Sequence, residues 1–183
     1  MKTCLKNNNR LLNDGNPDIK IKFGEKDFLE AVDLITKDIE KKYLKDSKKI
    51  GLLGIARGGL PLLVAVSHST GIREINVVQV EMTKSDKRWD YGEPRINWSA
   101  IDENIDEFIL FEDMVSHARS INVVIDMLKK KNKKVLSVYS LFMNNDMFDL
   151  EDKHEDVDIN YVNLICQKQW VYFFWESGYG KEQ

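Results

Sequence analysis

Two stretches of the chain are apolar at every position and too short to be helices. Ile50-Gly51-Leu52-Leu53-Gly54-Ile55-Ala56 and Phe108-Ile109-Leu110-Phe111 have no alternate set of polar positions, so a strand built from either has no face to give to water. Such strands belong in the middle of a sheet covered on both sides. In a single chain that means a mainly parallel sheet whose connections are helices packed on its faces.

The intervening segments fit. From Lys26, the apolar positions Phe28, Val32, Ile35, Ile39 and Tyr43 recur every three or four residues with charges between them, which predicts an amphipathic helix. Leu60 to Ser69 reads as a buried helix, with Pro61 near its start and Gly71 at its end. A third helix carries Ile121, Val124, Ile125 and Leu128 on one face. Further strands are expected at Ile75 to Met82, Val135 to Phe142, Tyr161 to Cys166 and Trp170 to Trp175. The fold class is α/β. Residues 1–20, rich in Asn and Lys, read as an arm, 21–176 as one domain and 177–183 as a tail. Thr83 to Ala100 reads as a polar, flexible loop of the length usual for lids.

Composition narrows the partners. The 183 residues carry 27 Lys and Arg against 30 Asp and Glu, a net charge of −3, so no overall field recruits nucleic acid. No apolar run reaches the roughly 18 residues of a membrane span, and the first residues lack the apolar core of an export signal. Two widely separated cysteines, Cys4 and Cys166, suit reduced thiols in a cytoplasmic protein.

In an open parallel sheet, ligands bind beyond the carboxyl ends of the strands, so the residues just after each apolar run are the informative ones. Three groups stand out. Arg57-Gly58-Gly59 follows the first run and precedes a helix. Its glycines let backbone N–H groups approach an anion beside a helix N-terminus, with Arg57 as a further donor; a plain strand-to-helix turn would look the same. Glu112-Asp113 closes the second run, and Met114 to Ser120 leads into the next helix. Two acids there can accept ribose hydroxyls or face magnesium, and Ser116, Arg119 and Ser120 can cradle a phosphate; equally, the acids can favour a helix N-terminus that a serine caps. The aromatic run Trp170 to Trp175, followed by Glu176, can stack on a planar heterocycle or simply fill core.

These three groups, in this order, resemble the type I phosphoribosyltransferase family, most nearly its xanthine, guanine and hypoxanthine members. Ala56-Arg57-Gly58-Gly59-Leu60 is similar to the family's pyrophosphate loop. Phe108 to Asp113 is similar to the strand and acid pair that open its phosphoribosyl pyrophosphate loop, and Trp170-Val171-Tyr172-Phe173-Phe174-Trp175-Glu176 to the tryptophan motif of its C-terminal hood. The resemblance spans about Ile21 to Glu176 and implies a mainly parallel central sheet flanked by helices, with a small hood over 143–176. It implies transfer of a phosphoribosyl group from phosphoribosyl pyrophosphate to a nucleobase, with pyrophosphate released and Mg2+ as cofactor. The implied roles are catalysis at Glu112, Asp113 and Ser116, and pyrophosphate binding at Arg57, Gly58 and Gly59. The 5′-phosphate falls to Ser116, His117, Ala118, Arg119 and Ser120, the base to Trp170 and Val171, and the metal to Asp113 and Glu176. Lys84, Lys87 and Arg88, with Arg95, stand where the family has its mobile catalytic loop. A homodimer or homotetramer is implied too. A non-catalytic nucleotide-binding module on the same fold, or a transferase with an unusual base, is the alternative.

The chain departs from the family at four places. Ser116 stands where members often carry an Asp, Ala118 where they carry glycine, and Phe174 replaces a proline. Met143-Asn144-Asn145 follows the fourth core strand where purine-specific members place a lysine. The base is the least determined feature.

Overall fold

The computed structural model describes residues 1–6, 20–45, 49–83, 91–146, 154, 156–166 and 169–176. Lys84, Lys87 and Arg88, most of the N-terminal arm and the tail lie outside these residues.

In chain order the elements are β1 (Lys2–Cys4), β2 (Lys20–Phe23), α1 (Glu25–Tyr43), β3 (Ile50–Ala56), α2 (Gly59–Thr70), β4 (Ile75–Thr83), β5 (Tyr91–Ala100), β6 (Glu107–Val115), α3 (Arg119–Lys130), β7 (Lys134–Asn144), β8 (Asp158–Ile165) and β9 (Trp170–Phe173). Seven strands form one sheet in the order β1-β8-β7-β6-β3-β4-β5, and β2 pairs with β9 in a separate two-stranded sheet. Every pairing is parallel except β4 with β5.

The two fully apolar runs became the two central strands, side by side, with Gly54 opposite Phe111. Their alternate residues feed opposite cores. Leu52, Ile109 and Phe111 join α1 and α2 on one face, whereas Leu53, Ile55, Phe108 and Leu110 join α3 on the other. From β3 the chain runs outward through β4 and β5; it then returns to β6 beside β3 and runs the other way through β7 and β8. The seam between β3 and β6 is therefore the topological switch point, where the connections diverge and leave a crevice.

The structure corrects three expectations. Thr83 to Ala100 is not one long loop, because Tyr91–Ala100 forms an antiparallel edge strand against β4. Pro94 is tolerated on that outer edge. Residues 2–4 of the expected arm form the opposite edge of the sheet, where the amino group of Met1 lies 3.1 Å from Asp158. Of the expected hood, β8 belongs to the main sheet. The smaller unit is instead Trp170–Phe173 paired with Lys20–Phe23, extended by Phe174 N–H donating to the Phe23 carbonyl at 3.1 Å. Aromatic contacts join it to the rest: Phe23 meets Phe142 of β7 edge-on, with centroids 5.1 Å apart, and Trp175 meets Phe28 of α1 at 5.5 Å. Among the described residues no helix is long and apolar enough to cross a membrane.

Helix α1 is tied to the sheet by a polar chain as well as by its apolar stripe. The buried Tyr139 hydroxyl donates to Asp38 Oδ2 at 2.6 Å, Lys42 Nζ pairs with the same oxygen at 2.7 Å, and Lys42 also donates to Asn160 at 3.1 Å. Tyr139→Phe should lower stability by about 1.5–3 kcal/mol, the range for a hydrogen bond to a charged group, with little effect on the cleft. Urea unfolding followed by circular dichroism checks this.

Candidate active site

The C-terminal ends of β3 and β6 open into a cleft of about 920 Å³. Two helices begin at it. Helix α2 starts at Gly59, directly after Arg57 and Gly58, and α3 starts at Arg119, after Ser116, His117 and Ala118; neither start has a side-chain cap. In α3 the first-turn N–H groups lack intrahelical acceptors, whereas in α2 the Leu60 N–H donates to the Arg57 carbonyl at 3.2 Å and Pro61 has no N–H, which leaves the Gly59 N–H at that end; both starts carry the positive end of a helix dipole. Two helix starts at one cleft favour an anion there. Arg57 and Arg119 add guanidinium groups, and neither has an ion-pair partner among the described residues.

The two turns are pressed together. A Cβ on Gly58 would overlap the Asp113 carboxylate, and one on Gly59 would overlap the Phe111 carbonyl. At 59 the clash is with the strand backbone, which requires glycine; at 58 it is with the end of the Asp113 side chain, which would have to move. The Ala56–Arg57 peptide bond is cis.

Asp113 Oδ1 accepts the Met114 N–H at 2.6 Å. Glu112 is turned inward: it accepts the Asp113 N–H and the Ser120 hydroxyl, each at 3.3 Å, and is only 8% exposed. Burial, then the Asp113 charge, pushes the Glu112 carboxyl well above the usual carboxylate range. Burial first, with repulsion from Glu176, outweighs the Met114 N–H and holds Asp113 up at about 6. Ser116 Oγ lies 3.3 Å from His117 Nδ1. Ala118 takes the left-handed conformation, φ 55°, with its methyl group buried beside Val115 and Ile121.

The expected site residues Arg57, Gly58, Glu112, Asp113, Ser116, His117, Ala118, Arg119, Ser120 and Glu176 all line this cleft; Gly59 lies directly behind it at the start of α2. Trp170 and Val171 do not line it. They pair with Lys20 and Ile21, and Val171 is buried in the main core. Trp175 lines the cleft in their place, its indole stacked on Phe173 at 4.7 Å. The sequence offered four tryptophans and no means of telling which one closes the crevice.

The far wall also went unread. It comes from Gln79, Val80, Glu81, Met82 and Asn97 of the β4–β5 hairpin, where Glu81 accepts hydrogen bonds from Asn97 and Arg95. The strand of Asn97 was obscured by Pro94 and the surrounding charges. Among the described residues, no three acidic, histidine or cysteine side chains form a ready metal cage. Asp113 and Glu176 do face one another closely enough to repel, and two carboxylates completed by a phosphate ligand are the donor set magnesium favours.

Residues 26–181 match the phosphoribosyl transferase domain family. No curated protein matches the chain in sequence. Among solved structures, a purine phosphoribosyltransferase from Pyrococcus horikoshii is 20% identical, with TM-score 0.66 over 90% of this chain and 98% of its own. A xanthine-guanine-hypoxanthine phosphoribosyltransferase from Helicobacter pylori is also 20% identical, with TM-score 0.64 over 87% and 95%. A hypothetical protein from Neisseria gonorrhoeae with bound ppGpp is 12% identical, with TM-score 0.67 over 87% and 91%. At these identities the likeness is one of fold.

Two outcomes follow from the geometry. Gly58→Ala should weaken pyrophosphate binding at least about tenfold, because the new Cβ displaces either the Asp113 carboxylate or the loop; isothermal titration with pyrophosphate and magnesium measures it. The raised Asp113 carboxyl means that the native state holds a proton more tightly than the unfolded chain. Its contribution to stability is therefore full below its ordinary value of 3.8 and is lost as pH rises through about 6. Asp113→Asn should then be more stable than wild type above pH 6 without added metal, by about 1–3 kcal/mol, and the difference should vanish below about pH 4. Denaturant unfolding across that pH range checks the sign.

Proposed function

The chain belongs to the phosphoribosyl transferase domain family, and from that premise we propose that it is a purine phosphoribosyltransferase of the xanthine, guanine and hypoxanthine type. It would move the phosphoribosyl group of phosphoribosyl pyrophosphate onto a base and release pyrophosphate. The observation that carries this reading is the convergence of two uncapped helix starts, one behind Arg57-Gly58-Gly59 and one behind Met114 to Ala118, on a single cleft that also holds Asp113. A ligand with a phosphate at each end of a sugar needs two anion sites separated by an acceptor for hydroxyls. That is the order of groups across the β3–β6 seam.

In this reading a ring nitrogen attacks C1 of the ribose as the pyrophosphate oxygen departs, leaving positive charge on the sugar and negative charge on the leaving group. Arg57 and the N–H groups of Gly58 and Gly59 stabilise the departing pyrophosphate without having to reorganise. The turn Ser116 to Ser120 holds the 5′-phosphate, and Asp113 accepts from the ribose hydroxyls. Asp113 and Glu176 would hold magnesium, which when bound neutralises pyrophosphate charge. Trp175, on the cleft wall, takes the stacking role that the resemblance gave to Trp170. Ser116 cannot itself serve as a base at neutral pH, so the proton lost by the purine falls to the Ser116–His117 pair or to solvent.

Two observations favour the second reading, a nucleotide-binding module without turnover: the missing Asp at Ser116 and the Neisseria neighbour with bound ppGpp. Protein supplied with phosphoribosyl pyrophosphate, magnesium and xanthine, guanine or hypoxanthine should release pyrophosphate, and Arg57→Ala should lower that rate by about two orders of magnitude or more, as the loss of a leaving-group donor does. No release with any purine or pyrimidine, together with saturable binding of a nucleoside monophosphate, would transfer the assignment to the binding module.

A further inference from the structure

We propose that Glu176 is a positioning residue for Trp175: its carboxyl group closes the turn that carries the ring and, from its place beside Asp113, links a divalent cation in the cleft to the stacking wall. The inference rests on the phosphoribosyl reading of the cleft. It begins at the free edge of β9. In the parallel pairing with β2, the Phe174 N–H donates to the Phe23 carbonyl at 3.1 Å, so the polar backbone groups of Phe173, one residue earlier, point the other way. Among the described residues the small sheet has no third strand to receive them, and Phe173 is buried. A buried backbone group without a partner is costly. Glu176 meets both groups: its N–H donates to the Phe173 carbonyl at 2.9 Å, and its Oε2 accepts the Phe173 N–H at 3.2 Å. Both donors are backbone N–H groups, which fixes the direction of each bond.

Those two bonds close the turn from Phe173 to Glu176, and Trp175 lies inside it. The indole stacks on Phe173 with centroids 4.7 Å apart and meets Phe174 edge-on at 4.9 Å, so the turn that orients these residues also sets the ring on the cleft wall. The carboxyl group that closes the turn has a second neighbour. Asp113 and Glu176 both line the cleft and repel one another, a force that acts directly on the group holding Phe173. With both carboxyl groups on one divalent cation, that repulsion gives way to attraction toward a common centre. A carboxylate has two oxygens, so Oε2 can serve the turn while Oε1 takes the cation. Ring placement and cation binding are then coupled, and by linkage a base stacked on Trp175 raises cation affinity by the same factor.

Ribose 5-phosphate and inosine 5′-monophosphate share the phosphate and the ribose, so the ratio of their affinities isolates what the base adds and cancels contacts of a cation with the sugar phosphate. Calorimetric titration measures both, with and without magnesium chloride. In the wild-type protein magnesium should raise the advantage of inosine monophosphate at least about fivefold, the lower end of ordinary coupling between sites. Glu176→Ala opens the turn. It should cut the metal-free advantage about fivefold, the value of one hydrogen bond, and abolish the magnesium effect without weakening ribose 5-phosphate. Glu176→Gln keeps an acceptor for the Phe173 N–H but loses the charge that holds a cation, so it should retain the metal-free advantage and show no magnesium effect. The indole N–H resonance of Trp175, assigned with Trp175→Phe, is a readout free of nucleotide: magnesium alone should shift it in the wild-type protein and not in Glu176→Gln. An advantage that Glu176→Ala leaves intact, or a magnesium effect that survives in Glu176→Gln, would overturn the proposal and leave the phosphoribosyl reading standing. Equal wild-type affinity for the two ligands would take Trp175 away from the base and overturn it as well. Binding of neither ligand by the wild-type protein would overturn the phosphoribosyl reading itself, and this inference with it.

Discussion

The contact between the β3 and β6 turns governs the rest of the molecule. Two parallel strands that are neighbours in a sheet must release their chains at the same end, and here both chains turn at once into helices on opposite faces. The two turns therefore compete for one volume. Glycine at positions 58 and 59 resolves that competition, since a side chain at either would meet Asp113 or the Phe111 carbonyl. The same closeness makes the site, because it puts the start of α2, the start of α3 and an acid into one crevice.

What could be read in advance divides along physical lines. Runs with a single environment were legible, Ile50–Ala56 to the residue and Phe108–Phe111 as the middle of a strand that continues to Val115, and Gly71 stops α2 in the left-handed conformation expected of a terminal glycine. Elements whose environment comes from elsewhere in the chain were not. Lys2–Cys4 is too short to show any period and is a strand because β8 offers an open edge. Tyr91–Ala100 carries polar residues and a proline suited to an edge, which read locally as loop. The position of Trp175 depends on Phe173, Phe28 and Phe174, a three-dimensional cluster that no spacing rule encodes. For the same reason the ten cleft and near-cleft residues gathered from β3 and β6 were foreseeable, whereas the hairpin wall was not.

The acids of the cleft make sense only together with its cations and helix ends. Glu112 and Asp113 are pushed toward protonation by burial, and Glu176 adds repulsion at Asp113. With Glu81 on the far wall, four carboxyl groups line the cleft, an arrangement that is electrostatically unfavourable by construction. The same cleft offers two helix N-termini and two arginines, which favour anions. A ligand that is anionic at its ends and brings a divalent cation to its middle relieves both strains at once, whereas a simple anion or a simple cation relieves one. That double demand narrows the ligand class more than any single residue does, and it follows from where the charges lie rather than from the chain's net charge of −3.

Substitution of glycine by alanine at position 118 illustrates how a loop can keep its shape with a costlier residue. Glycine would reach φ 55° without a steric penalty but would also leave the turn freer in the unfolded chain. Alanine inverts that balance: it narrows the unfolded ensemble and supplies a methyl group to the cluster with Val115 and Ile121, at the expense of local strain. The strain is tolerable only while neighbours hold the turn, and here the burial of the methyl group and the Asn122 N–H donating to the Ala118 carbonyl at 2.8 Å do so.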